Sequence, residues 1–164
     1  MAGHVYLVGM PGSGKSSVGR LLATVLGASF VDLDAEVEAS AAASVRDIFE
    51  ARGEAGFRDL EAEALRRTAA GPAAVVACGG GVVLRPENVE RMRSSGTVVH
   101  LDAPAEVLAG RVEPAGDRPL LGDRSDLARL HAERAPAYRA AAHVRVDASG
   151  APDRVAEAVR RVLP

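Results

Sequence analysis

The nine residues Gly9–Ser17, GMPGSGKSS, constrain the fold and chemistry of this chain more than any other feature of its sequence. They match the pattern G-x-x-x-x-G-K-S, in which glycines let the backbone curl until several N–H groups point at one anion. A strand pattern precedes the loop and a helix pattern follows it, and a helix N-terminus also favours negative charge. The pattern therefore predicts a loop that binds nucleotide phosphates. Its predicted contacts are Gly12, Ser13, Gly14, Lys15, Ser16 and Ser17.

Lys15 is the only lysine in the chain, which otherwise uses arginine for its basic side chains. A compact ammonium can reach between the β- and γ-phosphates of ATP, whereas a planar guanidinium is wider and suits a flat, two-pronged partner. The next residue, Ser16, has a hydroxyl of the kind that such loops offer to Mg²⁺. We therefore expect ATP and Mg²⁺ to bind at this loop.

The size and charge of the chain narrow the classes of protein to which it can belong. Its 164 residues predict one domain, 1–164, and a net charge of −2 with 3% aromatic residues argues against a nucleic-acid partner. We expect the one cysteine, Cys78, to be a buried strand residue in a reducing compartment. Without a basic leader or a long apolar run, we expect a cytoplasmic protein with no membrane partner.

Short apolar runs alternate with longer helical patterns, which is typical of a parallel α/β sheet covered by helices on both faces. The predicted strands are His4–Val8, Ser29–Leu33, Ala73–Cys78, Thr97–Leu101 and His143–Asp147. The predicted helices are Lys15–Leu26, Ser44–Ala51, Gly53–Ala69, Pro86–Ser94, Pro104–Arg111, Asp126–Ala142 and Pro152–Leu163. The segment Glu113–Asp126 is rich in proline, glycine and charge, and we expect it to be a long mobile loop.

Phosphate-binding loops serve several kinds of protein, and two of these are disfavoured here. A GTPase needs an Asn-Lys-x-Asp sequence to recognise guanine, but the single lysine already lies in the loop. A motor or AAA-type ATPase needs a strand that ends in Asp-Glu, whereas Asp102 is followed by Ala103. We expect Asp102 instead to cap the helix that begins at Pro104. A small kinase remains.

Two carboxylates, Asp32 and Asp34, end the second predicted strand. Residues two apart in a strand point the same way, and ligands of such sheets bind at the carboxyl ends of the strands. One carboxylate could hold the magnesium shell through water, and the other could accept a proton from an acceptor hydroxyl. Alternatively, Asp34 caps the next helix and Asp32 is a solvated strand end.

Three other stretches contain candidate site residues. Arg58 lies at the edge of an apolar helical stripe, where it could face a ligand or form a surface ion pair with Glu54. The glycines Gly79–Gly81 follow the third strand and could bring backbone N–H groups close to a ligand or form a plain loop. Arg118, in the long loop, could neutralise charge on a transferring phosphoryl group or remain a solvated charge.

In combination, these stretches resemble the shikimate kinase family from about Val5 to Val159. The resemblance rests on GMPGSGKSS, the D-x-D of VDLD, SVRDIFEARGEAGFRDLE, the triple glycine, the RPLL of the long loop and the R-A-P-x-Y of the helix after it. It implies phosphorylation of the 3-hydroxyl of shikimate by ATP. It also implies a monomer with a three-layer α/β/α P-loop kinase fold. That fold has a five-stranded parallel sheet in the order 2-3-1-4-5, substrate-binding helices at about 34–69 and a mobile lid at about 112–125.

The resemblance also implies which residues hold shikimate. These are Asp34, Arg58, Gly79, Gly80, Gly81 and Arg134. Asp34 would orient the attacking hydroxyl or act as its base. The two arginines would take the carboxylate, because planar, charge-assisted donors hold a small organic anion well.

On the nucleotide side, the resemblance implies that Arg111 and Pro152 border the adenine. Arg118 would be the catalytic cation of the lid, and Asp32 would hold Mg²⁺ through water beside Ser16. The residues expected to be catalytic are Lys15, Asp34 and Arg118.

The chain departs from the family at Leu33, where threonine is common, and at Ser40–Ala43, where a Thr-Gly turn is usual. The spacing from Arg118 to Arg134 is also shorter than usual. Two alternatives stay open: a kinase of another small metabolite, such as gluconate or a nucleoside monophosphate, and a nucleotide-dependent regulatory module. A substrate without a carboxylate would leave Arg58 and Arg134 unexplained.

Overall fold

The computed structural model describes residues 1–112 and 124–164. Arg118 and most of the predicted lid, about 112–125, lie outside the described residues. Among the helices of the described residues, none combines the length and apolar character needed to cross a membrane.

The centre of the fold is a parallel sheet of five strands in the order β2-β3-β1-β4-β5, as predicted. The strands are β1 His4–Val8, β2 Ser29–Asp32, β3 Ala74–Ala77, β4 Gly96–Asp102 and β5 Val144–Asp147. Every residue of β1 and β3 is buried, because both faces of these apolar strands are covered. In the register of the sheet, Tyr6 of β1 lies between Val76 of β3 and Val98 of β4.

Helices flank this sheet and complete the predicted three-layer arrangement. They are α1 Lys15–Leu26, α2 Leu33–Ala41, α3 Val45–Ala69, α4 Pro86–Ser95, α5 Ala105–Arg111, α6 Arg124–Ala141 and α7 Pro152–Val162, with a short 3-10 helix at Val82–Leu84. α1 packs against α7 and β3, whereas α4 and α6 pack against β4. Because all five strands run parallel, the loops that follow them meet at one edge of the sheet.

The long helix α3 contains the interruption that the sequence predicts between Ala51 and Gly53. Gly53 has φ 68° and ψ −177°, which is not helical, so α3 consists of two helical segments joined at a kink there. Glycine suits this position because a left-handed φ carries no side-chain penalty. The helix begins after Ser44, whose side chain accepts a hydrogen bond from the N–H of Asp47 at 3.1 Å.

Two predictions about helix starts were incomplete or wrong. The local patterns did not predict α2, because β2 passes into it at Asp32 without a connecting loop, although the family resemblance implies helices from about residue 34. The predicted cap at Asp102 is wrong: the residue before α5 is Pro104, and it provides no side-chain cap. Asp102 instead lies 3.6 Å from the guanidinium of Arg145 on β5.

Candidate active site

A cleft of about 530 Å³ lies where the strands of the sheet end. Its walls come from the loop after β1, the starts of α1 and α2, both halves of α3, the turn after β3, the end of α5, the helix α6 and the loop after β5. The predicted site residues that line it are Gly12, Ser13, Gly14, Lys15, Ser16, Ser17, Asp32, Asp34, Arg58, Gly79, Gly80, Gly81, Arg111, Arg134 and Pro152. Arg118 is the one predicted site residue that lies outside the described residues. The volume is in the range of small-molecule sites.

The phosphate-binding loop has the backbone that its sequence predicts. Gly14, the N-cap of α1, has φ 88°, and it places no side chain in front of the helix N-terminus. The described first turn of α1 contains no acidic residue, so the positive end of the helix dipole contributes to the cleft. The Nζ of Lys15 donates to the carbonyls of Gly9 and Met10 at 2.9 Å each, which holds the ammonium against the loop.

Asp32 connects this loop to α2. Its Oδ2 accepts a hydrogen bond from the hydroxyl of Ser16 at 2.9 Å. Its Oδ1 caps α2 by accepting from the N–H groups of Asp34 at 3.1 Å and Ala35 at 3.3 Å. The alternative that Asp34 caps this helix is therefore wrong, because Asp32 does so and Asp34 lies in the first turn. Two oxygen-bearing side chains, Ser16 and Asp32, lie together at the edge of the cleft.

Arg58 is buried in the cleft wall rather than solvated on a helix surface. It is 7% exposed, and its Nη1 donates to the carboxylate of Glu61 at 3.0 Å. The predicted pair with Glu54 also forms, at 3.4 Å, but Glu54 is exposed. The ion pair with Glu54 therefore exists, but the interpretation of Arg58 as a surface residue is wrong, because Arg58 is buried.

Glu61 is the site residue that sequence reasoning missed. It is fully buried, and its Oε2 has no hydrogen-bond partner within the described part of the chain. Burial raises its pKa, while the guanidiniums of Arg58 and Arg134 lower it and the carboxylate of Asp34 raises it further. The available signal was its place three residues after Arg58 in the F-R-x-x-E sequence, which puts both side chains on one face of the helix.

The triple glycine is required by the side chains that press against it. A Cβ on Gly79 would overlap the carboxylate of Glu61, and a Cβ on Gly81 would overlap the guanidinium of Arg58. The glycine turn therefore leaves room for the buried ion pair of Arg58 and Glu61. The sequence also predicts that the backbone of this turn approaches a ligand closely.

Arg134 completes the basic group on this side of the cleft. It lies on α6 and is 6% exposed. A Cβ on Gly80 would lie 3.2 Å from its Nη1, so the guanidinium packs against the middle of the glycine turn. Because Arg58 and Arg134 both act electrostatically on Glu61, the two guanidiniums belong to one cluster.

Arg111 also lines the cleft and joins two loops. Its guanidinium donates to the carbonyls of Ala148 and Ser149 at 2.8 Å each, and more weakly to Gly150 at 3.2 Å and Gly12 at 3.4 Å. These bonds tie the phosphate-binding loop to the segment that precedes α7. Pro152 begins that helix, as its proline at a helix start predicts, and also lines the cleft.

Cys78 reaches the cleft wall but has no reactive character. It is 2% exposed, and burial raises the pKa of its thiol well above the usual range. This agrees with the prediction of a buried residue at the end of the third strand.

Comparisons with known proteins agree with this geometry. A sequence model of the family described as shikimate kinase matches residues 11–164. The chain is 54% identical to a shikimate kinase of Gloeobacter violaceus, over 97% of this chain and 91% of the relative. It is 49% identical to a shikimate kinase of Symbiobacterium thermophilum, over 97% of this chain and 95% of the relative.

Among solved structures, the shikimate kinase of Acinetobacter baumannii in complex with shikimate matches with a TM-score of 0.95. It is 36% identical, and the match covers 99% of this chain and 93% of that one. The fold, the cleft and these relatives lead to one conclusion: the chain belongs to the shikimate kinase family.

Proposed function

We propose that this chain transfers the γ-phosphoryl group of ATP to the 3-hydroxyl of shikimate, forming ADP and shikimate 3-phosphate. One observation carries the choice of acceptor: two buried guanidiniums, Arg58 and Arg134, line the cleft that also contains the phosphate-binding loop. Arg58 already pairs with Glu61, but its Nε has no hydrogen-bond partner among the described residues, and a carboxylate on a small ring fits two planar, charge-assisted donors. Membership of the family supports the same acceptor.

On the nucleotide side, the backbone N–H groups of Gly12–Ser17 and the ammonium of Lys15 bind the phosphates. Arg111 and Pro152 border the adenine, a role supported by their place in the lining of the cleft that contains the phosphate-binding loop. Arg118 serves as the catalytic cation over the transferring group, and this assignment comes from the sequence alone.

The side chains beside the phosphates fit a magnesium ion. Mg²⁺ prefers oxygen ligands and keeps several of its waters, and the hydroxyl of Ser16 lies 2.9 Å from the carboxylate of Asp32. Ser16 would hold the ion directly and Asp32 would hold it through water. When bound, the ion offsets negative charge on the phosphate oxygens.

On the acceptor side, Arg58 and Arg134 take the carboxylate, and the backbone of Gly79–Gly81 approaches the ring. Val45, Phe49 and Phe57 also line the cleft and offer an apolar surface to the carbon ring. Glu61 is a positioning residue, because its carboxylate holds the guanidinium of Arg58 in place.

Asp34 takes the ring hydroxyls and orients the 3-hydroxyl for in-line attack on the γ-phosphorus. As the new O–P bond forms, the bond from the γ-phosphorus to the β,γ-bridging oxygen breaks and ADP leaves. The hydroxyl proton passes to Asp34 or to solvent. Lys15 and Arg118 neutralise the charge that develops, so positioning and electrostatics supply most of the rate. We further propose that the enzyme acts as a cytoplasmic monomer without a nucleic-acid or membrane partner.

An assay of ADP release tests this function against its alternatives. We expect shikimate to be phosphorylated with a kcat/KM at least a hundredfold above those for gluconate and nucleoside monophosphates, because only shikimate among them offers a ring carboxylate and hydroxyls together. ADP release without any acceptor dependence would favour the regulatory module instead. Equal use of nucleoside monophosphates, which have no carboxylate, would contradict the proposed role of the arginine pair, and equal use of gluconate would contradict selection of a ring acid.

Two variants of Lys15 test the phosphate site in the same assay. Lys15→Ala is expected to lower kcat/KM by about a thousandfold, a loss of roughly 4 kcal/mol in transition-state stabilisation. Lys15→Arg keeps the charge but is expected to recover little activity, since a guanidinium does not replace a compact ammonium. Near-normal turnover in Lys15→Ala would exclude the proposed role.

A further inference from the structure

Tyr138 belongs to the R-A-P-x-Y sequence of α6, yet the proposed mechanism uses only the arginine of that sequence. Arg134 and Tyr138 lie one helical turn apart, and Tyr138 is fully buried. Among the described residues, Arg134 lines the cleft and Tyr138 does not. Any influence of Tyr138 on the acceptor must therefore act through another residue.

The hydroxyl of Tyr138 joins two parts of the acceptor side. It donates a hydrogen bond to the carbonyl of Gly80, which is 58 positions away in the sequence. The guanidinium of Arg134, one turn away on the same helix, packs against that same glycine, because a Cβ on Gly80 would lie 3.2 Å from its Nη1. Burial raises the pKa of the phenol more than the nearby guanidinium lowers it, so the hydroxyl keeps its proton at neutral pH.

The hydrogen bond from Tyr138 to the carbonyl of Gly80 orients the whole peptide group between Gly80 and Gly81. Because a trans peptide is planar, an anchored carbonyl of Gly80 also sets the direction of the N–H of Gly81, which points the opposite way. Three consecutive glycines have little conformational preference of their own, so their turn needs an external restraint. The phenol supplies one from the helix that carries Arg134.

The ring of Tyr138 is itself held in place by β4. It stacks on the imidazole of His100, with ring centroids 5.2 Å apart and planes at 28°. His100 is 2% exposed, so both rings are enclosed by the fold. An enclosed, stacked ring gives its hydroxyl a fixed direction.

We propose that Tyr138, held by His100, is a positioning residue that fixes the glycine turn and the guanidinium of Arg134 relative to each other and thereby sets the affinity for the acceptor. This rests on the proposed function, in which the turn and Arg134 hold the acid.

The variant Tyr138→Phe tests the proposal, because it keeps the stacked ring and removes only the hydroxyl. We expect the KM for shikimate to rise about tenfold, the KM for ATP to change less than twofold, and kcat to fall less than threefold. Tyr6→Phe is a matched control: Tyr6 is equally buried, and its hydroxyl bonds to Ser95 at 2.8 Å, away from the cleft. A loss of thermal stability shared by both variants, with an unchanged KM for shikimate, would overturn the proposal.

Amide hydrogen exchange provides a readout that needs no acceptor. We expect residues 79–84 to exchange about tenfold faster in Tyr138→Phe than in Tyr6→Phe, whose exchange there should match the wild type. Equal exchange in the two variants overturns the inference even if wild-type enzyme uses a different acid. Failure of the wild type to phosphorylate shikimate would count against the proposed function alone.

A second variant keeps the proposal testable if Tyr138→Phe does not fold. His100→Leu leaves the hydroxyl in place and removes the stacked ring, so the KM for shikimate is expected to rise at least threefold while the KM for ATP is kept. An unchanged KM for shikimate in this variant would contradict the role assigned to the stacked pair.

Discussion

Arg58 donates to the carboxylate of Glu61 across 3.0 Å, in a part of the cleft wall where Glu61 is fully buried. The glycines at 79 and 81 leave the space that this pair occupies. A buried ion pair often adds little net stability, because the cost of removing both charges from water offsets their attraction. The pair is therefore better explained by positioning: Glu61 aims a guanidinium that would otherwise have several rotamers.

The variant Glu61→Gln separates these two explanations. The amide keeps an oxygen that can accept from Arg58 but has no charge. We expect the KM for shikimate to rise about tenfold. The free energy of unfolding at pH 7 should fall by about 1–3 kcal/mol, because Arg58 keeps its charge in a buried position after Glu61 has lost its own. Steady-state kinetics and urea unfolding measure the two effects.

The exposed partner of the same arginine provides the control. Glu54→Gln removes the pair at 3.4 Å, and we expect the KM for shikimate to change less than twofold, since exposed pairs contribute little. If the two variants raised the KM for shikimate equally, the net charge around Arg58 would matter and the contact with Glu61 would not position it.

Much of the fold followed from local sequence patterns. A parallel sheet and the meeting of candidate residues at one cleft were predictable, because buried parallel strands are continuously apolar and their following loops gather at one edge. The strand order came from the family resemblance and not from the local patterns. Glycine and proline also marked several boundaries well: α3 breaks at Gly53, and α4 and α7 begin with proline.

Other features depend on tertiary packing and were not predictable from one sequence. The helix α2 has a weak apolar pattern and starts directly at the end of β2, so no loop signal separates them. Glu61 resembles any solvated glutamate on a charged helix, since nothing local shows that α6 and the glycine turn enclose it. In the same way, Asp102 precedes a proline as a cap would, but Arg145 on the neighbouring strand is its actual partner.

Asp32 has two roles, since its Oδ1 caps α2 and its Oδ2 accepts from Ser16, and two variants can separate them. Asparagine is as good an N-cap as aspartate, so Asp32→Asn should keep stability within about 0.5 kcal/mol. Its lost charge should raise the Mg²⁺ concentration needed for half-maximal activity by about tenfold, as expected for an outer-shell ligand.

Asp32→Ala removes both the hydrogen bond from Ser16 and the cap of α2. We expect the same change in Mg²⁺ requirement and, in addition, a loss of about 1 kcal/mol of stability, because the first turn of α2 loses its cap. An unaltered Mg²⁺ titration in Asp32→Asn would show that the carboxylate serves only the helix.

Ala42 occupies a backbone conformation that suits glycine. It follows α2 with φ 51° and ψ 38°, within the Ser40–Ala43 stretch that departs from the usual Thr-Gly turn. A left-handed conformation costs a non-glycine residue about 1–2 kcal/mol. We expect Ala42→Gly to raise the free energy of unfolding by about 0.5–1 kcal/mol, after the larger unfolded-state entropy of glycine is subtracted.

A glycine placed inside the same helix provides the opposite result. Ala39→Gly, at an exposed position in α2, should lower stability by about 1 kcal/mol, because glycine is a poor helix former. Urea unfolding compares the two variants. If both glycines destabilised the protein, the left-handed geometry at Ala42 would not be a source of strain.

His100 makes stability depend on pH below neutrality. Burial lowers its pKa from 6.5 to about 4; Arg139, Arg145 and His131 act in the same direction, and Asp102 opposes them. The unfolded chain therefore binds a proton before the folded one does as the pH falls. The contribution of neutral His100 to the free energy of unfolding is fully present above pH 6.5. It is lost as the pH falls toward 4, which lowers the free energy of unfolding by roughly 2–3 kcal/mol.

The variant His100→Phe tests this sign and magnitude. It keeps an aromatic ring against Tyr138 but cannot titrate, so its unfolding free energy should fall less steeply between pH 6.5 and pH 4 than that of the wild type. The difference between the two curves isolates His100, because all other titrating groups are common to both. Parallel curves would mean that His100 is protonated as easily in the folded protein as in the unfolded chain, and its burial beside Tyr138 would then need another explanation.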